Sequence, residues 1–334
     1  MKEVELSKKV GPMELIAETA RKIYSMEIRG AGRIARAAAA SLRDLAQQLD
    51  VKSLEEFNSR IREAAETLMA TRPTAVSLSN AVKMVTRYSA NDVEEARQAV
   101  VSNAGKFIEN SEKAVEKIGE IGSRRIRKGD TVLTHCNSLA ALSIIKAAHE
   151  ADKEIKVIAT ESRPRWQGRL TIGMLEEWGI ETELIVDSAV RSVMNDVDLV
   201  VVGADVITAN GSLVNKIGTA QIALCAHEAR TSFLVAAETY KFSPRTIMGE
   251  LVTIEERDPE EVYPDISKFK HVRVHNPAFD VTPHSYIDVI CTEVGAIPPE
   301  MSYLIIKEKL GWEMDIATSV FGSSRSKNER CNCD

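Results

Sequence analysis

The chain has few of the features that mark membrane, secreted or nucleic-acid-binding proteins. No apolar run approaches the roughly 18 residues of a membrane span, and the start, MKEVELSKKVGP, lacks the apolar segment of a signal peptide. Its 43 Lys and Arg are outnumbered by 49 Asp and Glu. Since phosphate-backbone binding needs clustered basic residues, nucleic acid is not the expected partner. These absences predict a soluble, cytoplasmic protein that binds neither nucleic acid nor membrane.

Disulfides and metal sites are also not indicated. The cysteines are odd in number and are not spaced as a disulfide framework or a paired CxxC zinc site: Cys136, Cys225, Cys291, Cys331 and Cys333. Cys331 and Cys333 supply only two ligands for a soft metal, which is an incomplete site. The sequence therefore predicts reduced thiols, no metal and no cofactor.

Two regions with different periodicity follow one another. From Met13 to about Arg127 the pattern is helical, and capping sequences begin helices at Ser53 and Asp92. This predicts a helical N-terminal domain over residues 1–127. Residues 128–321 are expected to form a Rossmann-like catalytic domain, and the polar tail 322–334 is expected to be disordered.

The second region alternates short β-branched runs with helical stretches, which predicts an α/β fold with a doubly wound parallel sheet. The predicted strands are Thr131 to Thr134, Ile155 to Thr160, Glu183 to Val186, Asp198 to Val202, Phe233 to Ala236, Val272 to Val274 and Ile287 to Cys291.

One stretch, Asp198 to Thr219, combines an acid with the elements of a phosphate site. An apolar strand ends at Gly203 and is followed by Asp205, an Asn-Gly turn, and then Asn215 and Lys216 before a helix. Such sequences occur at the carboxyl ends of buried parallel strands, where ligands bind. We therefore expect Asp205 in the ligand crevice.

Glycines at 30 and 32 interrupt a helical run in Arg29-Gly30-Ala31-Gly32. Backbone N–H groups could then approach an anion at the next helix start, and Arg29 could close on a phosphate. On the residues alone, a glycine-permitted bend with a solvated Arg29 is favoured.

The strand at Thr131 ends in His-Cys-Asn-Ser, just before a helix. A helix N-terminus favours a thiolate, so Cys136 is a candidate base. The alternative is a small buried hydrophobic residue, which describes most free cysteines and fits Cys225 and Cys291.

Two further loops follow predicted strands and carry cations. Arg163 or Gln167 could reach substrate oxygens, or their loop could be an ordinary surface loop. Lys241 would bring a second cation to the same sheet edge as Lys216, which suggests two anionic groups on the ligand, although solvated lysines are common.

The chain resembles the superfamily that comprises methylthioribose-1-phosphate isomerase, archaeal ribose-1,5-bisphosphate isomerase and the regulatory subunits of eukaryotic translation initiation factor 2B. The resemblance extends from about Leu15 to about Trp312. It is carried by Arg29-Gly-Ala-Gly32, Arg72-Pro-Thr-Ala75, Thr134-His-Cys136, Glu161-Ser-Arg-Pro164 with Gln167-Gly168, Gly203-Ala-Asp205, Asn215-Lys-Ile-Gly-Thr219 and Ala237-Glu-Thr-Tyr-Lys-Phe242.

Within this superfamily, the resemblance to the bisphosphate isomerases rests on three residues. The regulatory subunits generally lack the cysteine and the aspartate that stand here as Cys136 and Asp205. Methylthioribose-1-phosphate isomerases usually have a lysine-free loop at Lys241, and their substrate has a thioether in place of the second phosphate. The resemblance therefore implies isomerisation of α-D-ribose 1,5-bisphosphate to D-ribulose 1,5-bisphosphate.

The same resemblance implies roles for individual residues. Phosphate would be held by Arg29 to Gly32 and by Arg72, the sugar phosphate by Asn215 and Lys216, and the other phosphate by Lys241. Cys136 would act as the base and Asp205 as the acid, which calls for a lowered thiol pKa and a raised carboxyl pKa. The resemblance also implies a homo-oligomer, a dimer that could assemble into a hexamer.

Overall fold

The computed structural model describes residues 11–248 and 251–311. The α-helices are α1 (Pro12–Tyr24), α2 (Ala31–Gln48), α3 (Leu54–Thr71), α4 (Val76–Thr86), α5 (Val93–Ser123), α6 (Leu139–Glu150), α7 (Gln167–Glu177), α8 (Val190–Val193), α9 (Thr219–Ala229) and α10 (Ser302–Ile305). A π-helical turn, Ile306–Leu310, follows α10. Short 3-10 turns cover Asp187–Ala189, Met194–Asp196, Thr239–Lys241, Pro244–Met248, Pro259–Glu261, Ile266–Lys268, His284–Tyr286 and Pro299–Met301.

The strands form two sheets of different character. They are β1 (Thr131–Thr134), β2 (Lys156–Thr160), β3 (Thr182–Ile185), β4 (Leu199–Gly203), β5 (Val206–Ile207), β6 (Leu213–Lys216), β7 (Ser232–Ala236), β8 (Phe279–Thr282), β9 (Val289–Thr292) and β10 (Gly295–Ile297). The larger sheet has the order β3-β2-β1-β4-β7-β9-β10, parallel except for β10. The smaller sheet, β5-β6-β8, is antiparallel.

The N-terminal region is helical, as the sequence predicts. Ser53 and Asp92 cap α3 and α5, each accepting a hydrogen bond from the backbone N–H three residues later. Helix α2 buries a stripe at helical spacing that includes Ile34, Ala38 and Leu42. These helices share one core, which Tyr240 from the sheet region also joins. The helical region is thereby attached to the turn that carries Lys241.

Alternation along the buried strands explains the doubly wound arrangement. On β4, Val200 and Val202 belong to one apolar core, whereas Leu199 and Val201 belong to the other. The first core contains residues of α8 and α9, and the second contains residues of α5, α6 and α7. A parallel sheet covered on both faces must be apolar on both faces, which is why these strands read as continuous hydrophobic runs.

The structure corrects several details of the sequence prediction. Val272 to Val274 is not a strand; Val272 is exposed, so the valine face of this segment is not buried. The small antiparallel sheet and β10 were not predicted, because their strands are only two to four residues long and lack clear alternation. Predicted strand ends differ by up to two residues elsewhere. The tail 322–334, with Cys331 and Cys333, lies outside the described residues.

Across the part of the chain that the structure describes, no helix has both the length and the apolar character needed to cross a membrane.

Candidate active site

The strand order places the candidate site. Starting from β1, the chain builds outward through β2 and β3, then returns to add β4 on the other side of β1. Connections therefore leave β1 and β4 on opposite faces, which opens a crevice at their carboxyl ends. Cys136 follows β1 and Asp205 follows β4, so both residues lie at this switch point. Both line the same cavity.

Hydrogen bonds on both sides fix the backbone at Cys136. This residue has φ of 68°, a left-handed conformation that is uncommon for a non-glycine residue. Its N–H donates to Ser162 Oγ at 2.8 Å, and its carbonyl accepts from Thr171 Oγ1 at 2.7 Å. The thiol is therefore presented by a strained backbone that its neighbours hold in place.

The thiol's protonation differs from the sequence expectation. Burial raises the pKa of Cys136, and the nearby Lys216 ammonium only partly opposes this rise, while Asp205 and Asp187 add to it. The helix start at Ser138 and Leu139 does not outweigh the loss of solvent. The lowered thiol pKa was a wrong prediction: the resting group is favoured as a neutral thiol.

The carboxyl group agrees with the expectation. Burial raises the pKa of Asp205, although Lys216, Lys241 and Arg72 all favour its charged form. Its backbone N–H donates to the Val214 carbonyl at 3.0 Å, which links the residue after β4 to β6. Asp205 is thus held in a recess where a protonated carboxyl is favoured and three cations stand nearby.

Two glycines, one two residues before Asp205 and one directly after Gln167, allow close packing of the chain. A Cβ on Gly203 would lie 2.1 Å from Ser138 Oγ, and one on Gly168 would lie 1.9 Å from the Thr160 carbonyl oxygen. Only glycine permits such contacts. Ser138 caps α6 by accepting a hydrogen bond from Ala141 N–H at 3.3 Å and also lines the cavity. Its position two residues after Cys136 was a usable signal that sequence reasoning missed.

Asn215 and Lys216 lie on β6, in the antiparallel sheet, and not in a helix-start loop. Asn215 Nδ2 donates to Thr219 Oγ1 at 3.0 Å. Lys216 Nζ donates to the Ala278 carbonyl at 3.0 Å and lies 4.8 Å from the Phe279 ring centre. Strand β6 pairs with β8 in the small sheet, and both residues line the cavity.

Asp280 stabilises the turn that follows Lys216. Its Oδ2 accepts from Gly218 N–H at 2.7 Å and from Ala220 N–H at 3.1 Å, at the start of α9. Burial raises the pKa of Asp280 to about 6. Gly218 has φ of 103°, which favours glycine at this turn.

Lys241 carries a buried counter-ion. Its Nζ lies 2.7 Å from Glu238 Oε2, and the two side chains are only 6% and 3% exposed. The other carboxylate oxygen accepts from Tyr240 Oη at 3.0 Å, and that hydroxyl lies 3.1 Å from Ser111 Oγ of α5. Sequence reasoning missed Glu238, although it stands three residues before Lys241 on the same turn.

The glycine-rich stretch forms a helix start on the cavity. Gly30 is the N-cap of α2 with φ of 92°, and Arg29 to Gly32 all line the cavity. The first N–H groups of an α-helix have no intrahelical partner and carry partial positive charge, so they suit an anion. The structure thus places this helix start and Arg29 on the cavity, where the phosphate interpretation stays a prediction.

Arg72 reaches the cavity from the end of α3, and it is ion-paired. Its Nη2 lies 2.5 Å from Glu255 Oε2. Glu255 also binds Arg257 at 2.8 Å, and Arg257 binds Glu261 at 2.8 Å. We call Arg72, Glu255, Arg257 and Glu261 the ion-paired rim. Its acidic members come from a loop without periodicity, so no sequence pattern predicts them.

Gln167 and Arg163, the two site candidates that follow β2, lie in different environments. Gln167 begins α7 and lines the cavity, with its Oε1 buried and free of any hydrogen-bond partner within the described chain. Arg163 does not line it: its Nη2 donates to the Val262 carbonyl at 3.0 Å, and its guanidinium stacks on Trp166. The proposed substrate contact of Arg163 is thus not supported, because that side chain instead anchors the segment containing Val262.

The cavity therefore brings together every predicted site residue except Arg163: Arg29, Gly30, Ala31, Gly32, Arg72, Cys136, Gln167, Asp205, Asn215, Lys216 and Lys241. Residues 11–248 and 251–311 contain no cluster of three or more His, Cys, Asp or Glu that could hold a metal ion. Proton-transfer groups and cations meet in one recess, an arrangement suited to acid–base chemistry on an anionic ligand.

Curated relatives match nearly the whole chain. The "Ribose 1,5-bisphosphate isomerase" of Archaeoglobus fulgidus is 63% identical over 300 residues, covering 90% of this chain and 95% of that protein. The protein of the same name from Methanocaldococcus jannaschii is 55% identical and covers 91% of this chain and 98% of its own length. The "Methylthioribose-1-phosphate isomerase" of Desulforamulus reducens is 38% identical, covering 86% and 88%.

Solved structures show the same fold. Translation initiation factor eIF-2B of Pyrococcus horikoshii matches with a TM-score of 0.74 at 36% identity, covering 85% of this chain and 97% of that chain. The 5-methylthioribose 1-phosphate isomerase of the same organism matches with a TM-score of 0.71 at 33% identity, covering 89% and 87%. Residues 27–299 match the model of the "Initiation factor 2 subunit family". The chain belongs to the initiation factor 2 subunit family.

Proposed function

We propose that this protein is an isomerase that converts α-D-ribose 1,5-bisphosphate to D-ribulose 1,5-bisphosphate. The observation that carries the proposal is the near full-length identity of 63% to a relative of that name. The cavity supports it independently, because a thiol and a carboxyl share the recess with several cations.

The substrate explains why an acid is needed beside a base. Its C1 hydroxyl is esterified, so the sugar cannot open spontaneously to a free aldehyde. The C1–ring oxygen bond must be broken on the enzyme, and the leaving ring oxygen needs a proton. Asp205 suits this task because burial raises its pKa and so favours the protonated form.

The reaction then proceeds in two balanced steps. In the first, the Cys136 thiolate removes the C2 proton, the C1=C2 double bond forms, the bond from C1 to the ring oxygen breaks, and Asp205 protonates that oxygen. In the second, the Asp205 carboxylate takes the proton from the C2 hydroxyl, C2 becomes the ketone, and the Cys136 thiol protonates C1. Both groups return to their starting protonation states.

The raised pKa of Cys136 sets a condition on this mechanism. The active form pairs a thiolate with a carboxylic acid, whereas burial favours the neutral form of both groups. Lys216 lowers the pKa of both. We infer that Lys216 supplies the charge that makes the thiolate accessible, in addition to gripping the sugar phosphate with Asn215.

The two phosphates are assigned to two groups of cations. One phosphate would be bound by the N-terminus of α2 with Arg29 and Arg72, and the other by Lys241. Lys241 is ion-paired with Glu238, and a second phosphate could accept a charged hydrogen bond from its ammonium, whereas a thioether carries no charge. This preference favours the bisphosphate over methylthioribose 1-phosphate.

The physiological setting follows from the proposed substrate. The product would feed RuBisCO in an archaeal route that salvages ribose from AMP and nucleosides. We further propose that the protein acts in the cytoplasm as a homo-oligomer, without nucleic acid as a partner.

The test is an isomerase assay in which ribulose 1,5-bisphosphate formation is coupled to RuBisCO. Parallel reactions contain methylthioribose 1-phosphate, and a binding measurement uses translation initiation factor 2. Turnover of the bisphosphate is the expected result. Turnover of methylthioribose 1-phosphate alone, or tight binding of the initiation factor without turnover of either sugar, would overturn the proposal in favour of the corresponding relative.

A further inference from the structure

His135 is a buried titratable residue that takes no part in the proposed proton transfers. It precedes Cys136 in the chain and is only 1% exposed. Its Nε2 lies 2.9 Å from the Ile217 carbonyl oxygen, and its Nδ1 lies 2.5 Å from Thr160 Oγ1. The ring therefore spans the gap between the end of β1 and the turn between β6 and α9.

The contacts determine where the imidazole hydrogen is. A carbonyl oxygen can only accept, so Nε2 must donate to Ile217. The Nδ1 atom faces two hydroxyl groups, Thr160 Oγ1 and, at 3.3 Å, Ser162 Oγ. Hydroxyls can donate to it, and burial lowers the pKa of His135, which favours the singly protonated ring.

These contacts form a continuous chain of hydrogen bonds from the Cys136 backbone to the Ile217 carbonyl. Cys136 N–H donates to Ser162 Oγ, which lies within 3.4 Å of Thr160 Oγ1. Thr160 in turn reaches His135 Nδ1, and the imidazole donates to the Ile217 carbonyl. Ser162 N–H is also held by Asp187 Oδ1 at 2.8 Å. Because Ser162 Oγ also lies 3.3 Å from His135 Nδ1, both hydroxyls link the backbone that presents the thiol to the β6–α9 turn through the imidazole.

The far end of this chain lies beside Lys216. Ile217 is the next residue, and Gly218 after it packs against the His135 ring: a Cβ at Gly218 would lie 3.2 Å from Cε1. Contact and hydrogen bond together therefore fix the imidazole against the turn. The thiol and the ammonium that lowers its pKa belong to different strands, and His135 connects them.

We propose that His135 is a positioning residue which, with its hydrogen on Nε2, fixes the Cys136 thiol relative to the Lys216 ammonium. This role deepens the proposed function and rests on it for the kinetic consequence, but the thiol's reactivity is a property of the protein alone. Loss of His135 leaves substrate contacts in place and weakens the stabilisation of the thiolate.

The experiment compares His135→Phe with His149→Phe, a matched change at the end of α6, in the full-length protein. Alkylation of Cys136 by iodoacetamide is followed over a pH series by peptide mass mapping, which separates it from the other cysteines. The groups that act on the thiol's charge are Lys216, Asp205 and Asp187. In His135→Phe we expect the midpoint of alkylation to move to higher pH, while His149→Phe follows the wild type.

Kinetics supply the second readout. We expect kcat of His135→Phe to fall by about a hundredfold, since a small misplacement of a reacting group costs that much, with KM little changed. His135→Gln keeps a donor for the Ile217 carbonyl, so its kcat should lie between those of His135→Phe and the wild type. Should His135→Phe fail to fold, Ser162→Ala, which removes the acceptor of Cys136 N–H, carries the same alkylation test.

The outcomes separate the two proposals. If the wild type does not isomerise the bisphosphate but the alkylation midpoint still shifts in His135→Phe, the proposed function is refuted and the role of His135 stands. An active wild type whose alkylation midpoint and kcat are unchanged in His135→Phe, or whose midpoint is unchanged in Ser162→Ala, refutes the role of His135.

Discussion

The sheet edge and the ion-paired rim enclose the same cavity but handle charge in opposite ways. At the sheet edge, burial raises the pKa of both Cys136 and Asp205, so their neutral forms are favoured. At the rim, the pKa of Glu255 is lowered by Arg257 and Arg72 in spite of its burial, and charges alternate in sign. This difference matches the proposed roles, since proton transfer needs groups that change charge and binding needs groups that keep it.

The largest effect is expected for Cys136→Ser. A serine hydroxyl is far less acidic than a thiol, so the base is lost and kcat should fall about a thousandfold or more. KM should stay close to the wild-type value, because the binding cations are untouched. Steady-state kinetics in the coupled assay measure both. Cys225→Ser is the matched control, and full activity in Cys136→Ser would refute the assignment of chemistry to the sheet edge.

Asp205→Asn should cost somewhat less, about a hundredfold to a thousandfold in kcat, since the amide cannot donate an acidic proton but still occupies the recess. The wild-type profile of kcat against pH should be bell-shaped. Activity needs AspH with a thiolate, so it is lost when both groups are protonated and again when both are ionised. Because burial raises both pKa values, both limbs should lie above the ordinary values for aspartate and cysteine.

In Asp205→Asn one of these limbs should disappear. A variant that retains both limbs, or one whose KM rises while kcat is unchanged, would place Asp205 among the binding groups and remove the contrast with the rim.

Lys241→Ala tests a binding cation that lies on the sheet side. We expect KM for the bisphosphate to rise by about ten- to a hundredfold, as a charged hydrogen bond to phosphate is lost, with kcat changed little. The single variant leaves the Glu238 carboxylate buried without its partner, which costs about 3 kcal/mol. The double variant with Glu238→Gln is therefore the control.

A fall in kcat that persists in this double variant, with KM unchanged, would show that Lys241 acts in the chemical steps. Chemistry and binding would then not be separated between the sheet edge and the ion-paired rim.

The smallest effect is expected at the rim. Glu255 is ion-paired with Arg72, so a substrate phosphate must compete with the Glu255 carboxylate for the guanidinium. Glu255→Gln should therefore lower KM about threefold, a size typical of a partly exposed ion pair, and this gain should shrink in high salt. Glu260→Gln, an exposed change on the same loop, is the control. A raised KM would instead show that Glu255 orients Arg72 for binding.

The sequence predicts the parts of this site that follow from strand ends. Cys136 and Asp205 each come directly after an apolar run, and parallel strands place their carboxyl ends on one edge. The switch point itself requires the strand order, which no local pattern contains. Val272 to Val274 shows the limit, because a β-branched run without burial does not become a strand.

Protonation and partners were less predictable. The helix after Cys136 suggested a lowered thiol pKa, but burial of the thiol raises its pKa. Glu255 lies in a loop without periodicity and meets Arg72 from 183 residues away in the chain, and Arg257 joins them through Glu255. Arg163 was misplaced for a similar reason: its partner is a backbone carbonyl that is 99 residues distant.

Isomerisation of the bisphosphate in D₂O, followed by NMR of the product, tests the central claim most directly. If Cys136 removes the C2 proton, exchanges it with the solvent and then protonates C1, ribulose 1,5-bisphosphate should form with deuterium at C1. Absence of this product, or a product without deuterium at C1, as a direct hydride shift would give, would contradict the account.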